Sequence, residues 1–178
     1  MRVAAVWFPD WPIQAVGGQS PMVIARNHAV AVCDRAARRA GIRRGMRLRQ
    51  AQALCPEATV VEANPDRDGA VFAEVAAGLD AVASSVEVLR PGLAIVDAGA
   101  ALRYHGEKAL EMLVDASSYA GFDSTLGVAD EIATAVIAAR HRSMGAVVPE
   151  GGSREFLATQ PIGVLAVDEA LGFDAGFV

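Results

Sequence analysis

Seven arginines crowd the stretch between positions 35 and 49: Arg35, Arg38, Arg39, Arg43, Arg44, Arg47 and Arg49, with no carboxylate among them. A guanidinium is a planar fork of donors that matches phosphate oxygens, so the cluster predicts contact with phosphate or nucleic acid. The competing reading is a solvated helix face, balanced by acidic surface elsewhere in the fold. Charge is strongly polarised along the chain. Residues 1–56 carry nine basic and two acidic residues (+7), and residues 57–178 carry seven basic and nineteen acidic ones (−12), behind a mild total of −5.

Other groups with chemical potential are sparse. Cys33 and Cys55 are too few for a disulfide framework or a four-thiolate metal site, and read as reduced, buried thiols. His28, His105 and His141 lack metal-ligand spacing and read as surface or capping residues. Trp7 and Trp11 could stack on a base, but an aromatic beside a buried strand is more often core. No metal site and no cofactor is expected.

The elements that must position these residues can be read from pattern. The 178 residues are 53% hydrophobic, with a mean hydropathy of +0.30, enough to bury a core and exclude disorder as the main state. No run approaches the roughly 20 apolar residues of a membrane span. Asp10 and Pro12 interrupt the opening apolar run before a signal-peptide core forms, so the expectation is a soluble, cytoplasmic protein.

A buried strand is predicted over 2–7, followed by irregular chain around Pro9, Pro12 and Gly17-Gly18. Strands at 22–25 and 29–33 form a hairpin through Arg26-Asn27-His28. Asp34 caps a short helix ending at Gly41. A second helix runs from near Met46 to before Pro56, then a strand over 59–62. Asn64-Pro65-Asp66 opens the longest helix, because Asn caps and Pro fits the first helical position. Its apolar stripe includes Val71, Phe72, Val75, Leu79 and Val82. Strands 86–89 and 93–96 flank the turn Arg90-Pro91-Gly92. Helix 107–119, strand 124–128, helix 130–141, strand 146–148 and helix 153–158 follow, with Tyr104-His105-Gly106 read as loop. The fold class is α+β, a ferredoxin-like split unit with helices on one face. A new apolar element starts at Pro161 just before the sequence stops at Val178, which predicts a fragment of a longer chain.

Three stretches carry a resemblance: the first strand with Phe8; Arg35-Ala36-Ala37-Arg38-Arg39-Ala40-Gly41-Ile42-Arg43-Arg44-Gly45-Met46 with Leu54-Cys55-Pro56; and Thr125-Leu126-Gly127-Val128-Ala129. Together they resemble the palm and fingers of Y-family translesion DNA polymerases. The resemblance implies a palm at 1–20 and 63–160, a small helical and hairpin fingers insertion at 21–62, and the start of a helical thumb at 161–178. Such polymerases hold two divalent metals on three carboxylates, to neutralise the triphosphate and activate the primer hydroxyl. Here those positions fall on Trp7, Gly92 and Leu93, none of which can ligate a metal. The family's Tyr-x-x-Arg triphosphate grip falls on Arg35 and Arg38, keeping the arginine alone, and its lysine falls near Val136.

This pattern is similar to the catalytically silent homologues of the ImuB type, which implies a scaffold for DNA damage tolerance with no catalytic residue. Arg35, Arg38, Arg39, Arg43 and Arg44 would contact DNA phosphates. The implied partners are DNA, an error-prone replicative-type polymerase, an ImuA-type RecA-like protein and the sliding clamp, whose site would lie beyond Val178. Two alternatives stay open. One is an active polymerase with a metal site rebuilt from Asp10 and Asp97. The other is a ferredoxin-like module binding a phosphorylated ligand or a protein, with no DNA role.

Overall fold

Two antiparallel partners frame the first strand. β1 (Val3–Trp7) pairs with β6 (Leu93–Asp97) and β7 (Thr125–Ala129), in registers that set Trp7 opposite Leu93 and Thr125, and Val3 opposite Asp97 and Ala129. β5 (Val86–Arg90) adds antiparallel to β6, and β8 (Gly145–Val147) parallel to β7, giving the order β5-β6-β1-β7-β8. The computed structural model describes residues 2–83, 85–118, 121–141, 145–161 and 163–164. Its chain forms two compact units, one of Met1–Phe8 with Ala73–Val178 and one of Pro9–Phe72.

In the first unit both faces of β1 are buried, which is why Val3-Ala4-Ala5-Val6 is a continuous apolar run rather than an alternating one. Val3, Ala5, Leu93, Ile95 and Ala129 form a core with Ala135, Val136, Ala138 and Ala139 of α7 (Ile132–Ala139), and Trp7 packs against its edge. The helix comes very close to the sheet at Gly127. A Cβ there would lie 2.0 Å from the Ala139 nitrogen and 2.1 Å from the Ala135 oxygen, so only glycine fits. The Ala4 and Val6 face is closed too.

The helix expected over 107–119 is present as residues 109–118, and a further helix that was not expected precedes it. α5 (Ala98–His105) is opened by Asp97, whose carboxylate accepts the Ala100 amide hydrogen at 2.8 Å. A 3-10 turn (Gly106–Lys108) then leads into α6 (Ala109–Ser118). Tyr104-His105, read as loop, is thus helical. The Asp97 cap outweighs the low helix propensity of Gly99. α8 (Ser153–Ala158) follows β8. Most of the expected thumb, after Val164, lies outside the described residues.

The second unit is built on the order β3-β2-β4: β2 (Met22–Arg26) lies antiparallel to β3 (Ala29–Cys33) and parallel to β4 (Thr59–Glu62). Asn27 and His28 both take positive φ, 53° and 61°, the two-residue turn that matches strand twist. α1 (Trp11–Val16) occupies the stretch expected to be irregular. A proline in the first turn has no amide hydrogen bond to lose, so Pro12 is compatible with helix. Trp11 is buried, meets Phe72 edge-on at 5.0 Å and donates its indole N–H to the Asp68 carbonyl at 2.9 Å, so it is core.

α2 (Arg35–Arg39) and α3 (Leu48–Leu54) connect β3 to β4 over a core of Val23, Val30, Cys33, Ala37, Ile42, Ala51 and Cys55. Both cysteines are free and buried, and burial pushes the Cys33 thiol up. α4 (Pro65–Asp80) continues from this unit into the other, and Asn64 accepts the Arg67 amide hydrogen at its start. Among the described residues no helix is long and apolar enough to cross a membrane.

Candidate functional site

Trp7 ends β1, and the antiparallel register puts Leu93 directly across from it. The chain after Trp7 stays tied to the β5–β6 turn, because the Phe8 amide donates to the Gly92 carbonyl at 2.9 Å. Gly92 takes φ of 87°, a left-handed turn conformation that disfavours any side chain. The three positions singled out in the sequence are therefore neighbours at one end of the sheet. An indole, a hydrogen and an isobutyl group supply no oxygen to a divalent cation, so these residues do not fit a two-metal clamp.

What completes this end of the sheet is cationic. The Arg140 guanidinium lies 4.8 Å from the Trp7 ring centroid, a cation–π contact between residues far apart in the chain that no local pattern signals. Opposite Trp7 on the other side, the Thr125 hydroxyl donates to the Ala139 carbonyl at 2.7 Å. Asp97 stands at the far end of β1, beside Val3. Four strand steps of about 3.3 Å separate it from the Trp7 end. One of its oxygens is committed to Ala100. A metal site joining Asp97 to the Trp7 end is not formed, and among the described residues no three His, Cys, Asp or Glu side chains are grouped as metal ligands.

The arginine stretch belongs wholly to the second unit, and all seven arginines are exposed. They are not equivalent. Arg38 forks onto Asp10, Nη1 to Oδ1 at 2.9 Å and Nη2 to Oδ2 at 2.7 Å, and also donates to the Cys33 carbonyl. The Asp10 hydrogen bonds raise the Arg38 pKa above its ordinary value, against the opposing effect of burial. Asp10 takes a left-handed conformation (φ 50°, ψ 38°) and uses no side-chain oxygen to cap α1, which frees both for Arg38. The expectation of a cluster without acidic partners is thus corrected at Arg38: its partner comes from a distant point in the sequence.

Arg43 is also engaged, donating to the Arg38 carbonyl at 2.6 Å and the Ile42 carbonyl at 2.8 Å, where it caps the end of α2. Arg35 and Arg39 stand one helical turn apart and therefore on one side of α2. Asp34 holds that helix in place: Oδ1 accepts from the Ala37 amide at 2.8 Å and Oδ2 from the Met22 amide at 2.9 Å. His141, read as a surface or capping residue, pairs through Nδ1 with Gln160 at 3.2 Å.

The mixed α+β architecture is that of the palm and fingers of Y-family DNA polymerases. Against a ternary complex of Dbh the TM-score is 0.76 at 23% identity, covering 92% of this chain and 52% of that one. Against the post-insertion binary complex of Dbh DNA polymerase it is 0.77 at 22% identity, covering 92% and 53%. Against DinB from Sulfolobus solfataricus it is 0.67 at 23% identity, covering 84% and 48%. The chain spans about half the length of these structures. No curated protein matches it. Residues 18–140 match the model of the impB/mucB/samB (IMS) family, and the chain belongs to that family.

Proposed function

We propose that this chain is the polymerase-like core of a non-catalytic, ImuB-type scaffold in DNA damage tolerance. It binds DNA and partner proteins and performs no phosphoryl transfer. The observation that carries this reading is the gathering of Trp7, Gly92 and Leu93 at one end of the sheet, without an oxygen ligand among them. These are the positions at which the resemblance to Y-family polymerases puts the three metal-binding carboxylates. The Trp7 indole and the Arg140 charge occupy that end of the strand. Both oppose a divalent cation, one by bulk and one by repulsion.

In this reading residues 1–20 and 63–160 are the palm, 21–62 the fingers and 161–178 the start of a thumb. Arg35, Arg38, Arg39, Arg43 and Arg44 form the DNA footprint. Arg38 and Arg43 fix the shape of the loop through Asp10 and three carbonyls, while Arg35 and Arg39 present their charge. The proposed partners are an error-prone replicative-type polymerase, an ImuA-type RecA-like protein and the sliding clamp, acting in the cytoplasm.

Primer extension tests the reading. With magnesium, a primed template and all four deoxynucleotides, the chain is expected to add nothing while an active polymerase extends the same primer. Extension by the chain overturns the proposal. Separately, Arg35→Glu with Arg39→Glu is expected to weaken DNA binding and flatten its salt dependence. Unchanged binding removes this footprint from the proposal.

A further inference from the structure

Arg47 and Arg49 play no part in the five-arginine footprint, and the fold gives them a setting of their own. The segment that carries them is laid against the β2–β3 hairpin. The Val30 amide donates to the Met46 carbonyl at 2.8 Å, the Gly45 amide to the Val30 carbonyl at 2.8 Å, and the Leu48 amide to the His28 carbonyl at 2.9 Å. Ala29 and Arg47 pair as an isolated bridge. Between this segment and the hairpin turn lies an open cavity of about 550 Å³, lined by Asn27, His28, Arg47, Arg49 and Gln52, with Leu48 as an apolar wall. No carboxylate lines it. Among the described residues neither guanidinium makes an ion pair, in contrast to Arg38 on Asp10.

This combination has a chemical reading. Two unpaired guanidiniums on one wall offer forked donors to phosphate oxygens. The Asn27 and Gln52 amides add neutral donors and acceptors suited to a sugar or a base edge. A volume of this size exceeds a bare phosphate and suits a nucleotide unit. The cavity's mouth is open, so a chain can enter and leave it. We infer that the cavity bounded by the Asn27-His28 turn and Arg47/Arg49 is a phosphodiester-binding site that seats one nucleotide of a nucleic-acid strand, distinct from the α2 arginine face. This rests on the reading of the chain as a DNA-binding scaffold. A free nucleotide would offer the same phosphate chemistry, and the experiment separates the two sources.

The test titrates a labelled single-stranded oligonucleotide into the chain at several salt concentrations, for the wild type, Arg47→Gln with Arg49→Gln, and Arg47→Lys with Arg49→Lys. The glutamine pair is expected to lose about tenfold in affinity and to reduce the log–log salt slope by roughly 0.7 to 1.4, one or two released counterions. The lysine pair is expected to keep the wild-type slope, which separates lost charge from lost folding. A thousandfold excess of free nucleoside triphosphate is expected to leave oligonucleotide binding unchanged. Full competition by the free nucleotide overturns the strand reading. A glutamine pair that binds with wild-type affinity and slope overturns the site while leaving DNA binding by the α2 face intact. A wild type that binds no oligonucleotide overturns both.

Discussion

Asp34→Ala removes one carboxylate and two hydrogen bonds at once. Oδ1 accepts from the Ala37 amide in the first turn of α2, and Oδ2 accepts from the amide of Met22, a residue only 1% exposed. Loss of the cap costs about 1 kcal/mol. The Met22 amide then loses its acceptor in a place with little water, at about 1–3 kcal/mol. The backbone bond from the Asp34 amide to the Met22 carbonyl survives the change, so the strand end is not wholly released. The expected destabilisation is about 2–4 kcal/mol, a large part of the roughly 5–15 kcal/mol of a typical domain. Urea denaturation followed by circular dichroism measures it. The loss should fall on the transition of the arginine-bearing unit, where the two units unfold separately. Asp34→Asn separates the terms, because its amide oxygen still accepts from Ala37 while its NH2 cannot accept from Met22. It should recover about 1 kcal/mol relative to alanine. A change below about 0.5 kcal/mol for Asp34→Ala, the range of neutral surface substitutions, would mean that neither hydrogen bond of Asp34 supports the fold.

Gly127→Ala puts a methyl group 2.0 Å from the Ala139 nitrogen, where helix backbone cannot yield as a flexible side chain does. The expected loss is at the upper end of, or beyond, the usual 1–3 kcal/mol for overpacking, read by the same denaturation. Asp130 is held below the usual carboxylate range by the Gly151 amide at 2.7 Å and by Arg2 at 3.1 Å. A depressed carboxyl contributes stability above its unfolded pKa, near 3.9, and loses it as pH falls through the folded value. Asp130→Asn should therefore lower stability at neutral pH and make the acid limb of the profile shallower, as urea midpoints between pH 2 and 7 will show. Arg140→Ala removes the guanidinium from the Trp7 ring, so the steady-state tryptophan emission should change while far-ultraviolet dichroism stays the same. Identical emission would mean that the cation does not sit on the indole in solution.

Much of this fold is written locally. Asp34 and Asn64 are legible caps because the capping bond itself needs only a residue three positions away, whereas the bond from the Met22 amide to Asp34 does not show locally. The β5–β6 hairpin is legible because Pro91-Gly92 is turn chemistry between two apolar runs. α1 and α5 escaped because Pro12 and Gly99 weigh against helix by propensity, while capping and first-turn geometry outweigh them. Of the candidate site, the neighbourhood of Trp7, Gly92 and Leu93 follows from strand pairing and could be anticipated. The contacts that set its electrostatics could not. Arg140 reaches Trp7, and Asp10 reaches Arg38, across separations that only the folded chain closes. The arginine run looked uniform in sequence, yet folding divides it into engaged residues and outward ones.

In the proposed non-catalytic reading, the end of the sheet that carries Trp7, Gly92 and Leu93 admits neither a divalent metal nor a triphosphate. Calorimetric titration of the chain with a deoxynucleoside triphosphate, with and without magnesium, tests it most directly, on a sample shown by circular dichroism to be folded. No magnesium-dependent heat of binding is expected. Magnesium-dependent binding in the micromolar range would contradict it and require a metal site built from other residues.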